Sequence, residues 1–451
     1  METTSERSPL FTNRALVGLT IPIIIDALLS IMAGIVDSAM VSSVGAAAVS
    51  GISLVDSINV TFTTLFSGLG IGGTVITAQY IGSRNFSDAR KSANQLLYMV
   101  VGISTVLMVL LLSCVPQLLN LIYRQIDADV FEHAKAYFYW TLPGYPLFAI
   151  GLTCAALLRS MALNRQAVIL TSSINVLNVF GNAILIYGFD LGAAGAAMST
   201  TLVRLIYAVA GLIMLSNRKR PLYLENFLKF RLDFPMMKRI FGVGITNSLQ
   251  SSLFQLGKLA VSGLSSTFGT IAIAANSVAS SILNIGWVLT GAFGTVLLTV
   301  VGHCIGAGEV AQAKRYTKKM LIAATVVSYA VFSAVFIFRN YLVLLFDFEA
   351  EALEASAYFV GLGALMTMVC VYSLSFVPLS AFRAAGDLKY PLILSVCSMF
   401  IFRVGLSYLL ALVFDMGVIS IWIGIFADWT CHSILNAIRL HNNKWIHAKL
   451  V

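Results

Sequence analysis

The amino-acid sequence predicts an all-α polytopic membrane protein: twelve transmembrane helices in two six-helix lobes, related by a parallel pseudo-two-fold repeat. Three observations carry that reading: the composition, a succession of long apolar runs, and a weak likeness between the two halves of the chain. Of 451 residues, 58% are hydrophobic and 11% charged, against roughly 45–50% and about 25% in soluble domains. Mean hydropathy is +0.88. So few charges cannot clothe a soluble protein of this size. A soluble enzyme, a secreted disulfide scaffold and a disordered chain are thereby excluded.

A helical span needs about 20 mainly apolar residues. Twelve candidates follow in order: 15–43, 51–81, 93–121, 136–158, 167–188, 193–215, 240–266, 272–304, 320–343, 358–382, 391–414 and 418–438. The first is too long for the core of a signal peptide and is expected to be retained. The runs are continuously apolar and not alternating, which speaks against a transmembrane barrel. Counting Lys and Arg in alternate connections gives 23 on one side and 3 on the other (Arg124, Lys135 and Arg339). Such strict alternation predicts that both termini are cytoplasmic and that the number of spans is even. The net charge of +9 is thus read as membrane orientation, with no role for nucleic acid.

The halves match at an offset near 224. Val44-Gly45 and Ala48 fall on Phe268-Gly269 and Ala272; Ile81-Gly82 and Ala89-Arg90 fall on Ile305-Gly306 and Ala313-Lys314. Leu158-Arg159-Ser160 falls on Phe382-Arg383-Ala384, and Phe189-Asp190-Leu191-Gly192 recurs as Phe414-Asp415-Met416-Gly417. The expected domains are residues 1–225 and 226–451. Transporters built from such parallel repeats bind substrate between halves and alternate access. The longest polar stretch, Ser216 to Arg239, carries no phosphate loop, His-Glu cluster or nucleophile signature. The chain is therefore expected to be no enzyme and to use no cofactor, with any pumping driven by an ion gradient. The six cysteines fall in or beside apolar runs without metal-ligand spacing and are expected to be free thiols acting as small hydrophobes.

Several motifs resemble one family. Val36-Asp37, Val41-Ser42 and Val44-Gly45 resemble the first-helix signature of the multidrug and toxic compound extrusion (MATE) transporters. Gly68-Leu69-Gly70 with Ala78-Gln79-Tyr80-Ile81-Gly82 resembles the end of their second helix. Leu158-Arg159-Ser160, Asn178, Ile186-Tyr187-Gly188, Gly195-Ala196-Ala197 and Arg383-Ala384-Ala385-Gly386-Asp387 are similar to later family segments. The resemblance covers nearly the whole chain. It implies a V-shaped exporter of the bacterial cytoplasmic (inner) membrane, driven by sodium or proton influx, and an N-lobe cation site at Asp37, Asn178, Asn182 and Thr200. Many relatives carry Asp where this chain has Asn182, so one carboxylate stands there and not two. The acids of a C-lobe site are missing: the seventh-helix position falls near Phe254, beside Gln255, and Tyr358 to Phe382 contains no acid.

A charge in the bilayer core costs at least about 2.5–3.5 kcal/mol, so each one needs a reason. Asp37 follows Pro22 on the first span, and proline can bend a helix around a cavity. Its expected role is reversible protonation or sodium ligation. Lys258 on the seventh span corresponds to Gly34 in the repeat and is expected to face Asp37 or Asp56, or else to snorkel to an interface or form a purely structural ion pair. Arg403 falls near the equivalent of Asn178; Arg204 and Asp428 are equivalent to each other and satisfy local partners or touch substrate. Asp26, Asp37 and Asp56 lie in one half and Lys258 and Arg403 in the other, a polarity that opens the way to zwitterionic or anionic substrates. Gln255, Asn276 and Asn284, with Asn247 and Gln250, form a polar stripe that glues helices or binds substrate. Met32 and Tyr145, with Met40, Phe62, Phe66, Trp287 and Phe293, are candidates for an adaptable apolar lining. His303 and His432 titrate near neutrality or serve as structural hydrogen-bonding groups.

The expected function is secondary active efflux of small organic compounds, amphipathic and often cationic, by proton or sodium antiport through alternating access. The alternative is export or flipping of an anionic or lipid-linked saccharide. A membrane scaffold or receptor without transport is the remaining class. The expected partners are a small-molecule substrate and membrane lipids, and the chain is expected to act as a monomer.

Overall fold

Long apolar runs leave backbone hydrogen bonding to be satisfied within each segment, and the computed structural model is helical throughout, with no strand among its described residues. It describes residues 9–123, 127–225, 231–346, 348–446 and 450. Arg7, Arg124, Lys229 and Lys449, counted in the charge alternation, lie outside them.

In chain order the helices are α1 (Asn13–Ser42), α2 (Ala46–Gly82), α3 (Phe86–Ile122), α4 (Ala128–Thr141), α5 (Gly144–Ser160), α6 (Asn164–Asn182) and α7 (Gly192–Leu215). Then come α8 (Phe234–Ser265), α9 (Thr270–Gly306), α10 (Val310–Val343), α11 (Ala350–Val369), α12 (Tyr372–Ala384), α13 (Lys389–Ser398), α14 (Ser407–Leu412) and α15 (Ile419–His441). The expected spans map onto these, but three are interrupted. The fourth is α4 and α5, bent by 51°; the tenth is α11 and α12; the eleventh is α13 and α14, joined by the π-helical stretch Met399–Leu406. A second π-helical stretch, Ala183–Gly188, continues α6. Among the described residues nine helices are long and apolar enough to cross a membrane, and the bent α4–α5 pair makes a tenth. Helices α8 and α15 match expected spans but fall outside that set. Their stretches Asn247–Gln250 and Asp428–His432 are polar.

Two compact units result: Pro22–Ser248, and Leu249–Val451 together with the chain up to Ile21. Both boundaries fall inside helices, one at Pro22 of α1 and one within α8, and not at the midpoint expected from sequence. The start of α1 belongs with the second unit because it is tied to α10. Gln312 accepts from Leu10 N–H at 2.8 Å, and Lys319 Nζ donates to Asn13 at 2.8 Å. The start of α8 belongs with the first unit because it packs on α2 at glycines. A Cβ at Gly68 would stand 2.0 Å from Ser248 Oγ, and one at Gly72 would stand 2.6 Å from Gly244 N. Small residues four apart let two backbones approach this closely. Ser248 Oγ then reaches the Leu65 carbonyl at 3.0 Å.

The breaks have identifiable causes. Pro378 removes the donor that would serve the Leu374 carbonyl, and Asn436 Nδ2 serves it instead at 3.2 Å. Upstream, Val371 takes a left-handed conformation (φ 51°), which a β-branched residue adopts only when its surroundings impose it. The Cys370 carbonyl accepts from Ser433 Oγ on α15, which also lies 3.3 Å from the Val371 carbonyl, itself bonded by Leu374 N–H at 2.8 Å. Between α4 and α5, Arg204 of α7 donates to the Thr141 carbonyl at 3.2 Å, placing a cation on a carbonyl at the C-terminus of α4.

Candidate functional site

In the unit Pro22–Ser248, α1 and α6 run parallel and meet through a ladder of polar side chains. Asp26 accepts from Thr171 at 2.6 Å and from Ser172 at 3.1 Å. Asn175 donates to Ser30 at 3.0 Å, Asn182 donates to Asp37, and Ser43 meets Tyr187 at 3.0 Å. Three rungs share one register, an offset of 145 residues. Residues 26, 30 and 37 are spaced by four and seven, which puts them on one helix face. At the Asp26 end the ladder gains a charge pair, with Arg159 Nη2 at 3.6 Å.

The residues expected to form a cation site stand together. Asn182 Nδ2 bonds the Asp37 carboxylate and lies 3.4 Å from Asn178 Oδ1, while Asn178 Nδ2 donates to Thr200 Oγ1 at 3.3 Å. The chain Asp37, Asn182, Asn178, Thr200 thus links α1, α6 and α7. Asn182 is fully buried and Asp37 half-buried. Asn182 is the last residue of α6 before its π-helical stretch, and such bulges are frequent at functional sites. No Lys, Arg or His pairs with Asp37 among the described residues.

A second network in this unit surrounds Asp56 on α2. Its carboxylate accepts from Asn59 Nδ2 at 3.1 Å and Tyr137 OH at 3.2 Å; Tyr145 OH donates to Asn59 Oδ1 at 2.6 Å. The Arg204 guanidinium lies 6.0 Å from the Tyr145 ring and 5.2 Å from that of Phe148. Tyr145 is 3% exposed. Tyr145 and Asp56, candidates for a substrate surface, are thus engaged inside the unit, and Arg204 satisfies local carbonyl and ring partners.

The other candidates are scattered. Met32 is 62% exposed on α1. Lys258 and Gln255 are exposed on α8, Asn284 is exposed on α9, and Asn276 on α9 is half-buried. No hydrogen bond joins these four polar residues to one another among the described residues. Gln250 of the same stripe holds helices together, donating to Ser395 at 2.7 Å and accepting from Arg383 at 2.8 Å.

Arg403 is not a lone cleft residue. It lies in the π-helical stretch of the second unit, with Nη2 2.9 Å from Asp428 of α15. Its guanidinium faces Phe254 at 4.9 Å and Trp429 at 5.7 Å. Ser398 donates to Asp428 Oδ1 at 2.5 Å, and His432 Nε2 lies 2.8 Å from Ser398 Oγ. Sequence reasoning named Arg403, Asp428 and His432 singly and missed that they form one cluster with Ser398. The i, i+4 spacing of Asp428 and His432 was the available signal.

The chain matches the MatE family over residues 22–184 and 243–409. It is 25% identical to an uncharacterized transporter of Bacillus subtilis, YisQ, with 99% of this chain and 98% of that one covered. It is 23% identical to the probable multidrug resistance protein NorM of Thermotoga maritima, covering 96% and 93%. Its fold resembles that of a MOP superfamily transporter from Pyrococcus furiosus with a TM-score of 0.88 at 20% identity, covering 95% of each chain. That protein is described as having a binding pocket of reverse polarity, suggesting a different function. The matched stretches cover well over half of the sequence, and the chain therefore belongs to the MatE family of multidrug and toxic compound extrusion transporters, integral membrane proteins and not enzymes.

Proposed function

We propose that the protein is a secondary active exporter of small amphipathic organic compounds, cationic ones among them, in the bacterial cytoplasmic membrane. Binding of a proton or a sodium ion at Asp37 drives the cycle. One observation carries this reading: a half-buried carboxylate on an apolar helix, held by an uncharged chain of Asn182, Asn178 and Thr200, with no fixed cation of its own among the described residues. A charge in that setting is expensive unless something neutralises it. The amide and hydroxyl oxygens of Asn182, Asn178 and Thr200 suit a hard cation such as sodium; Asp37 alone suffices for a proton. Names carried by relatives, multidrug resistance protein NorM among them, support the efflux reading.

Binding or protonation at Asp37 changes the charge at the foot of its hydrogen-bond chain and so biases how α1 packs on α6. Release of substrate follows from that repacking. A second reading, export of an anionic or lipid-linked saccharide substrate, is favoured by Lys258, an exposed cation on α8.

The test is reconstitution in liposomes with a fluorescent organic cation under an imposed proton or sodium gradient. Wild type is expected to move the dye with one gradient, naming the ion, and Asp37→Asn is expected to fall to the level of protein-free liposomes. If neither gradient moves the dye, multidrug efflux is wrong. Anionic solutes and lipid-linked saccharides then become the panel, with Lys258→Gln as the variant.

A further inference from the structure

The second unit contains a buried charged cluster that the proposed cycle at Asp37 does not use. Asp428 is 1% exposed, His432 2% and Arg403 6%. The cluster sits between two departures from regular helix: the π-helical stretch that carries Arg403, and the break at Val371 with its left-handed backbone. Non-helical backbone at membrane depth survives only where it is enclosed or serves a pathway.

Hydrogen-bond counting assigns the protons. The single hydroxyl hydrogen of Ser398 goes to Asp428 Oδ1, at 2.5 Å. The 2.8 Å contact between Ser398 Oγ and His432 Nε2 must then use a hydrogen on the ring. Neutral His432 therefore carries its proton on Nε2 and leaves Nδ1 as a bare acceptor. Nδ1 is buried and makes no hydrogen bond among the described residues. The nearby Ser375 carbonyl accepts from Asn436 Nδ2 at 2.8 Å. Nδ1 is thus the ring position left without a donor, and the one open to a second proton.

Charge balance defines what the site takes up. With neutral His432, the Arg403 and Asp428 charges cancel. Uptake of a proton leaves one net positive charge, shared across Asp428: Oδ2 meets Arg403 at 2.9 Å and Oδ1 stands 3.7 Å from His432 Nε2. Ring faces back both cations, since Phe376 stacks on His432 at 5.3 Å and Phe254 and Trp429 face Arg403. Such contacts favour a desolvated cation. Other groups acting on the cluster are Cys370 and Tyr372 at the α11–α12 break, Cys431 on α15, and Lys258, a like charge to Arg403 on α8. A cluster this enclosed admits a proton without needing room.

We propose that His432 is a proton-binding site of the second unit, taking a proton from water at Nδ1 and returning it there. Asp428 and Ser398 position the ring and Arg403 sets the charge against which the proton binds. The site is separate from Asp37 and does not rest on the role proposed for that residue.

The test uses full-length protein in lipid nanodiscs carrying Asp37→Asn, so that the carboxylate proposed to couple transport is silent. Trp429 is the built-in reporter, with its ring 5.7 Å from Arg403. Tryptophan emission is followed across about pH 5–8, the range in which histidine changes charge. A reversible step is expected, and adding His432→Gln is expected to remove it. A flat response, or a step that survives His432→Gln, overturns the proposal. Should that variant not fold, the other four of the five histidines are replaced by Gln, and ¹⁵N-histidine resonances report His432 directly. Appearance of the doubly protonated ring toward acid supports the site, and a neutral ring throughout overturns it. Either result stands whether or not Asp37→Asn abolishes transport.

Discussion

The two units solve the problem of a buried carboxylate in different ways. In Pro22–Ser248, Asp37 is half-buried, bonded by an amide, and has no resident cation among the described residues. In the other unit, Asp428 is almost fully buried and its cation, Arg403, is part of the chain. Arg403 lies near the repeat position of Asn178, and Phe254, where the resemblance places an acid of the C-lobe site, supplies a ring face to the guanidinium. An exchangeable ion makes a carboxylate responsive to a gradient. A tethered one makes it permanent, and leaves any further charge to a neighbour such as His432.

That contrast can be broken at its permanent end first. Asp428→Asn strands a buried guanidinium and is expected to destabilise the protein by about 3–5 kcal/mol, whereas replacing both partners by apolar residues (Arg403→Met with Asp428→Leu) is expected to cost less, about 1–3 kcal/mol, because it leaves only the Ser398 hydroxyl without its acceptor. Thermal unfolding in detergent reads both. Equal losses in the two variants would mean that the pair is not the element holding α15 to its π-helical neighbour. At the exchangeable end the expected effect is smaller. Thr200→Ala removes the last link of the Asn178 chain, an interhelical hydrogen bond within a membrane protein worth about 0.6 kcal/mol. Its folding stability should barely move while the gradient dependence of dye flux shifts; a flux profile identical to wild type would remove Thr200 from the site.

A similarly small effect belongs to an ion pair outside the membrane segments. Lys91 and the Met236 N–H, both bonded to Asp233, hold that carboxyl below its ordinary range. Its stabilisation is complete above the ordinary carboxylate value of about 3.9 and is lost as pH falls through the lowered one. Asp233→Asn should therefore be less stable than wild type at neutral pH by under about 1 kcal/mol. The gap should close in acid and narrow with salt; a gap that widens in acid would contradict the assignment.

Much of this architecture is legible in sequence because the solvent imposes it. Apolar runs of span length fixed where the helices lie, and the motif resemblance grouped Asp37, Asn178, Asn182 and Thr200, which the fold joins by hydrogen bonds. What stayed hidden depends on distance in sequence. Asp26 meets Thr171, Asp56 meets Tyr137, and Ser398 meets Asp428 and His432, all across helices. The break at Val371 was also invisible, since neither glycine nor proline occupies that position and the proline responsible for freeing a nearby carbonyl stands seven residues on, at Pro378. The unit boundary at Pro22 likewise follows from what Gln312 and Lys319 grip, not from composition.

The rungs between α1 and α6 have a mechanical corollary. All of them lie beyond Pro22, and three share a single register. Successive residues of a helix point about 100° apart and rise about 1.5 Å, so a one-residue shift of α1 brings none of its next residues onto these partners and a slide along the axis misaligns the three matched rungs together. The part of α1 beyond Pro22 therefore meets α6 as a toothed rack, its three matched rungs set to a single alignment. Asp37 is one tooth of that rack, in register with Asp26 and Ser30.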